Sequence, residues 1–164
     1  MLGPMLQADA APRDGLSPGT WHPTVRELYD YWLSVHPPLG LPGRQHVDPA
    51  AIPRLLPHVF MVDVCRDPLR FRYRLVGTEY VRLMGSDLTG RYLDEVHPGF
   101  HGLIRRQYVE AADQGRPGYR KGSIMYTRPD RCYLGMERVI LPLARNGSEV
   151  DMLLGAIRYI PAMP

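Results

Sequence analysis

The chain has 164 residues, of which 45% are hydrophobic and 23% charged, with a formal net charge of +3. That length buries one sizeable core, and the composition argues against wholesale disorder. No apolar run approaches the ~18 residues that span a bilayer. The first twenty residues lack a signal-type stretch, and the arginines form no massed basic patch. A soluble, cytoplasmic protein with no membrane or nucleic-acid role is expected.

Lys121 is the only lysine, and Ala, Gly and Pro abound, a skew that fits a GC-rich bacterial genome. Cys65 and Cys132 are far apart without a CxxC partner, so both are expected as free thiols.

Residues 1–20 read as a flexible leader rich in Ala, Pro and Gly. Residues 21–56 read as an N-terminal helical extension. Thr24 and Glu27 form a T-x-x-E capping box after Pro23. Val25, Leu28, Trp32 and Val35 then make one apolar stripe, and Pro37-Pro38 stops the helix. The stripe either folds back on the chain's own sheet or pairs with a second copy, and both can hold. A homodimer held partly by these four residues is expected. Asp48-Pro49 is a second start signal, kept short by Pro53 and Pro57.

Val59 to Cys65 is almost wholly apolar except for Asp63, and predicts a strand covered on both faces. Arg66-Asp67-Pro68 turns the chain into a strand from Arg70 to Val76. Strict alternation there puts Phe71, Tyr73 and Leu75 on one face and Arg70, Arg72 and Arg74 on the other. Thr78 can cap a short helix carrying Tyr80, Leu83 and Met84 on one side. Gly85 stops it, and Gly90 breaks the chain again before Tyr92. His97-Pro98 begins a longer helix with Phe100, Leu103, Ile104, Tyr108 and Ala111 buried, closed by Gly115. Strands follow at Tyr119–Thr127, Cys132–Leu143 and Val150–Ile160. The first two are joined by Pro129-Asp130-Arg131, and the last two by a hairpin at Asn146-Gly147.

Two strands, then helices, then three consecutive strands imply an antiparallel α+β sheet with the first and last strands adjacent in the middle. This order, with the D-L-x-G step at Asp87, Leu88 and Gly90 and the closing run Glu137–Ile160, resembles the PAS sensor domain over residues 57–160. The LYDYW helix at Leu28–Trp32 and the entry DPAAIPRLLPHVF at Asp48–Phe60 resemble the stand-alone bacterial PAS family. Residues 161–164 are then a short tail. The resemblance implies a PAS-like five-stranded antiparallel sheet with short helices on one face and N-terminal helices. It also implies a ligand or signal pocket between sheet and short helices, and a role in signal transduction with a small-molecule ligand or a signalling protein partner.

The expected pocket lies between Phe71, Tyr73 and Leu75 and the helices carrying Tyr80, Met84, Tyr92, Phe100, Ile104 and Tyr108. Buried tyrosines need partners for their hydroxyls and can orient a ligand, though ordinary core packing explains the same pattern. His97 and His101 are four apart, a spacing that can present imidazoles to a metal or haem; a capping or surface role is the alternative. With no third ligand visible, neither metal nor cofactor is expected. The arginines at 70, 72 and 74 can meet an acidic partner or simply protect an edge strand. No catalytic motif is present, so no enzyme activity is expected. The rival enzyme reading, similar to ketosteroid isomerases, needs a buried carboxylate near a tyrosine, with Asp63 or Asp94 the first candidate. A ligand-free interaction module with a filled core is a third reading.

Overall fold

The computed structural model describes residues 18–122 and 133–161. The leader up to residue 17, the third strand beyond Gly122, the 129–131 turn, Cys132 and the tail at 162–164 lie outside them. The elements are α1 (Pro23–Ser34), β1 (Val59–Cys65), β2 (Arg70–Val76), α2 (Thr78–Met84), α3 (Leu93–Val96), α4 (Gly102–Gln114), β3 (Gly118–Gly122), β4 (Tyr133–Leu143) and β5 (Met152–Pro161). Single 3-10 turns precede β1, one of them capped by Asp48, whose side chain accepts from the Ala50 amide.

All pairs are antiparallel, in the order β2-β1-β5-β4-β3. β1 and β5 are neighbours, as their apolar runs require, because a strand with both faces covered must be apolar on both. One face carries Val59, Met61, Val139, Leu141 and Leu154 beneath α1. The other carries Phe60, Val62, Phe71, Tyr73, Ile140 and Leu153 beneath α2, α3 and α4.

α1 lies on its own sheet. Val25, Leu28 and Trp32 are buried there, and Trp32 Nε1 donates to the Pro142 carbonyl at 2.9 Å. Val35 is half-buried at the helix end. The cap is His22 rather than Thr24: its Nδ1 accepts from the Thr24 amide at 3.1 Å, and Pro23 opens the helix. A histidine nitrogen does here what the T-x-x-E pattern assigns to a hydroxyl.

Two further expectations are corrected. Met61 pairs with Leu75 but Val62 with Tyr73, so Arg74 is an extra residue in β2. Such a bulge breaks the two-residue alternation. Leu75 lands opposite Met61 on the α1 face of the edge strand, 43% exposed. The longer helix begins at Gly102 with His101 at its N-cap, because His97-Pro98 closes α3 instead. Leu103 then falls outside the buried stripe and is exposed, while Ile104, Tyr108 and Ala111 keep to it.

Candidate functional site

Two short helices, α2 and α3, cover the β1–β2 half of the sheet. α2 starts at Gly77, where an added Cβ would lie 2.4 Å from the Leu56 carbonyl oxygen, so only glycine lets the chain pass there. Gly85 ends α2 in the left-handed conformation, φ 82°. This short helix delivers Tyr80 into the sheet. α3 is one turn long, and His97 at its C-cap turns inward as Pro98 stops the helix.

The result is a buried polar knot. The Tyr73 and Tyr80 hydroxyls lie 2.8 Å apart, and His97 Nε2 lies 2.6 Å from the first and 3.4 Å from the second. All three residues are at most 4% exposed. Burial pushes the His97 pKa down to about 4, so the ring is neutral near pH 7. A neutral imidazole gives one donor and one acceptor, and phenols give both. The knot therefore ties β2, α2 and the end of α3 together by hydrogen bonds whose loss exposes polar groups to an apolar layer.

That layer holds most of the pocket residues expected from sequence. Phe71 packs edge-on against Phe100 and Tyr108, with ring centres 6.0 Å and 5.4 Å away. Ile104 joins them from α4, Tyr80 stacks on Phe60, and Met84 packs at the margin. Leu75 and Tyr92 do not belong. Leu75 is turned away by the bulge. Tyr92 is half-buried at the sheet edge with the Arg70 guanidinium 3.7 Å from its ring centre, because it precedes α3 and bridges to Arg72 rather than turning inward.

The arginine stripe is paired with carboxylates. Arg70 grips Asp94 at 2.8 Å and Glu95 at 3.0 Å, and its hydrogen bonds hold the Asp94 carboxyl below the usual range. Arg72 and Arg74 both bind Asp63, each at 3.2 Å. Asp63 pairs in register with Arg72 and lies on the α1 face, opposite to the tyrosine knot. Neither acid expected by the enzyme reading stands beside a pocket tyrosine. His101 is exposed, and among the described residues no group of three His, Cys, Asp or Glu could hold a metal.

Two residues that the sequence pattern did not single out meet here, Arg138 on β4 and Gln107 on α4. Arg138 on β4 is 2% exposed and donates from Nη2 to Gln107 Oε1. The strand alternation Met136, Arg138, Ile140 already places this arginine among inward residues. An open groove of about 650 Å³ beside Arg66, Glu149 and Asp151 contains none of the expected pocket residues.

A central antiparallel sheet, short helices over an aromatic layer and a buried hydrogen-bonded knot define an α+β domain with its short helices gathered on one sheet face. The sequence model of the PAS domain family matches residues 20–158, and the chain belongs to that family. The match includes α1, and it is consistent with the stand-alone bacterial PAS proteins that the sequence resembles. No curated protein matches the chain. PAS domains serve in general as sensory and signalling modules rather than enzymes. Among the described residues no helix is long and apolar enough to cross a membrane.

Proposed function

We propose that this chain is a cytoplasmic PAS sensor or adaptor whose reporting element is the stretch from Thr78 to Val96. A small ligand entering the helix-covered face competes for the hydrogen bonds of the Tyr73–Tyr80–His97 knot. Their exchange releases or resets α2 and α3, and a signalling partner reads the change. The observation that carries this reading is the knot itself: three polar side chains, each from a different element, joined beneath helices too short to pack as rods.

A second reading has its own support. The rings of Phe71, Phe100 and Tyr108 already touch one another, as a filled core would. In that case the chain is an interaction module without a ligand. A homodimer remains part of the proposal, but α1 offers a second copy its outer face rather than the stripe, since Val25, Leu28 and Trp32 are buried within the chain.

Native mass spectrometry of the purified protein separates the two readings. A co-purified small molecule that slows hydrogen exchange across Thr78–Val96 supports the sensor. A ligand-free protein with equal protection of that stretch and the central strand supports the interaction module.

A further inference from the structure

The sheet face beneath α4 contains a buried guanidinium, Arg138, that is paired with no carboxylate among the described residues. Arg138 lies opposite Arg120 on β3 and Ile157 on β5, between Met136 and Ile140 along its own strand. Its Nε is buried without a hydrogen bond. The described partners of the guanidinium are one neutral amide, Gln107, and the Tyr108 ring at 5.1 Å. The adjacent Glu137 points to the opposite face, where it accepts from the His22 amide and the Tyr119 hydroxyl. Among the described residues no carboxylate pairs with Arg138.

An unpaired buried charge is among the most costly features a fold can hold. An amide oxygen and an aromatic face offset only part of that cost. A guanidinium carries five N–H donors in one plane, and Gln107 uses one of them. A carboxylate supplies two in-plane acceptors and the missing negative charge together. The surroundings are otherwise apolar: Ile104 and Tyr108 share one face of α4, above Ile140 and Ile157.

We propose that Arg138, positioned by Gln107, anchors a binding site for a small carboxylate whose apolar body lies against Tyr108 and Ile104. This rests on the sensory reading and names the ligand class it takes. The carboxylate neutralises Arg138, and its body presses on α4 from within.

The test uses benzoate as the probe, with benzyl alcohol as its neutral counterpart and inorganic phosphate as an anion without an apolar body. Binding is followed by isothermal titration and thermal unfolding. Benzoate should bind the wild-type protein and raise its Tm, while the other two should do neither. Arg138→Met removes the buried charge while keeping an unbranched apolar stem, and should weaken benzoate by about ten- to a hundredfold. Gln107→Glu places a carboxylate beside the guanidinium; it should raise the Tm and block benzoate, which keeps the proposal testable should Arg138→Met fold poorly. Benzoate that does not bind, that binds Arg138→Met or Gln107→Glu as well as wild type, or that is matched by phosphate or benzyl alcohol, overturns the site. A neutral co-purified ligand alongside silent benzoate would sink the carboxylate site and leave the sensory reading intact.

Discussion

His97 Nε2 and the Tyr73 hydroxyl lie 2.6 Å apart, joining the end of a one-turn helix to the second strand of the sheet. The two residues are 24 positions apart in sequence. Their contact makes an imidazole part of the core, and the pH behaviour of the fold follows from it.

Burial lowers the folded-state pKa of His97 to about 4, against an ordinary value of 6.5. Above the ordinary value neither folded nor unfolded chain binds this proton, and the contribution to stability is complete. Between the two values the unfolded chain takes the proton and the folded chain does not, so stability falls as the pH drops. The full loss is about 3 kcal/mol and levels off below the folded value. His22 and His58 are lowered too, by burial and then by Arg158, so they tilt the profile in the same direction. The His97 share is read by difference. Urea midpoints of wild type and His97→Gln, compared at about pH 7 and about pH 5, should show a shallower decline in the variant. Parallel declines would mean that His97 titrates normally.

Trp32 closes the α1 face of the core and donates to Pro142 across 110 positions of sequence. Trp32→Ala should cost about 3–5 kcal/mol, because it empties a large site and leaves a buried carbonyl without its donor. Since the side chain is 2% exposed within a single chain, the folded variant should keep the wild-type mass in light scattering. A change of oligomeric state with little loss of stability would assign the stripe to a second copy instead.

Much of this fold was legible in the chain. The apolar run from Val59 to Cys65 and the alternation from Arg70 gave both strands to the residue, and their polarity placed β1 beside β5. Asp48 before proline and Gly85 after Met84 marked turns through local chemistry alone. What escaped depends on long-range registration. Nothing around Arg74 announces an extra residue in the ladder, and only the pairing with β1 shows that Leu75 has changed face. His97 reads as a surface cap until Tyr73 and Tyr80 are brought over it. Tyr92 follows a glycine break like a pocket residue, yet the Arg70 side chain covers it from outside.

The bulge makes a direct comparison possible. Phe71 and Leu75 would share a face in an unbroken strand. With Arg74 inserted, Phe71 is 2% exposed and Leu75 43%. Leu75→Ser should change stability by no more than about 0.5 kcal/mol, whereas Phe71→Ala should cost about 3–5 kcal/mol. Chemical denaturation of the two variants settles it, and a large loss at Leu75 would contradict the register.

Gly155 sits in the central strand directly opposite Phe60, whose ring covers it. An added Cβ would come within 2.2 Å of the ring carbon Cζ. Gly155→Ala should therefore displace the ring from Tyr80 and cost about 1–3 kcal/mol. Phe60→Leu shortens the clashing group, so the double variant should lose less than the sum of the single ones. Strict additivity in a double-mutant cycle would rule out the contact as the cause.

The last expectation concerns which part of the molecule opens first. α2 has seven residues and α3 four, both short for helices whose stability depends on packing along their length. Their hold on the sheet passes largely through Tyr80, Leu93 and the knot at His97. β5 is paired on both sides, and Leu153 and Leu154 are fully buried on opposite faces. Local opening should thus begin at the short helices and reach β5 only on global unfolding. Amide exchange should be faster across Thr78–Val96 than across Met152–Ile157. Tyr73→Phe removes one hydroxyl from the knot, at a cost of about 1–3 kcal/mol for the polar groups left behind. That variant should speed exchange in the first stretch more than in the second. Equal protection of the two stretches in the wild type, or an equal response to Tyr73→Phe, would mean that the short helices open only with the whole fold and cannot report a signal on their own.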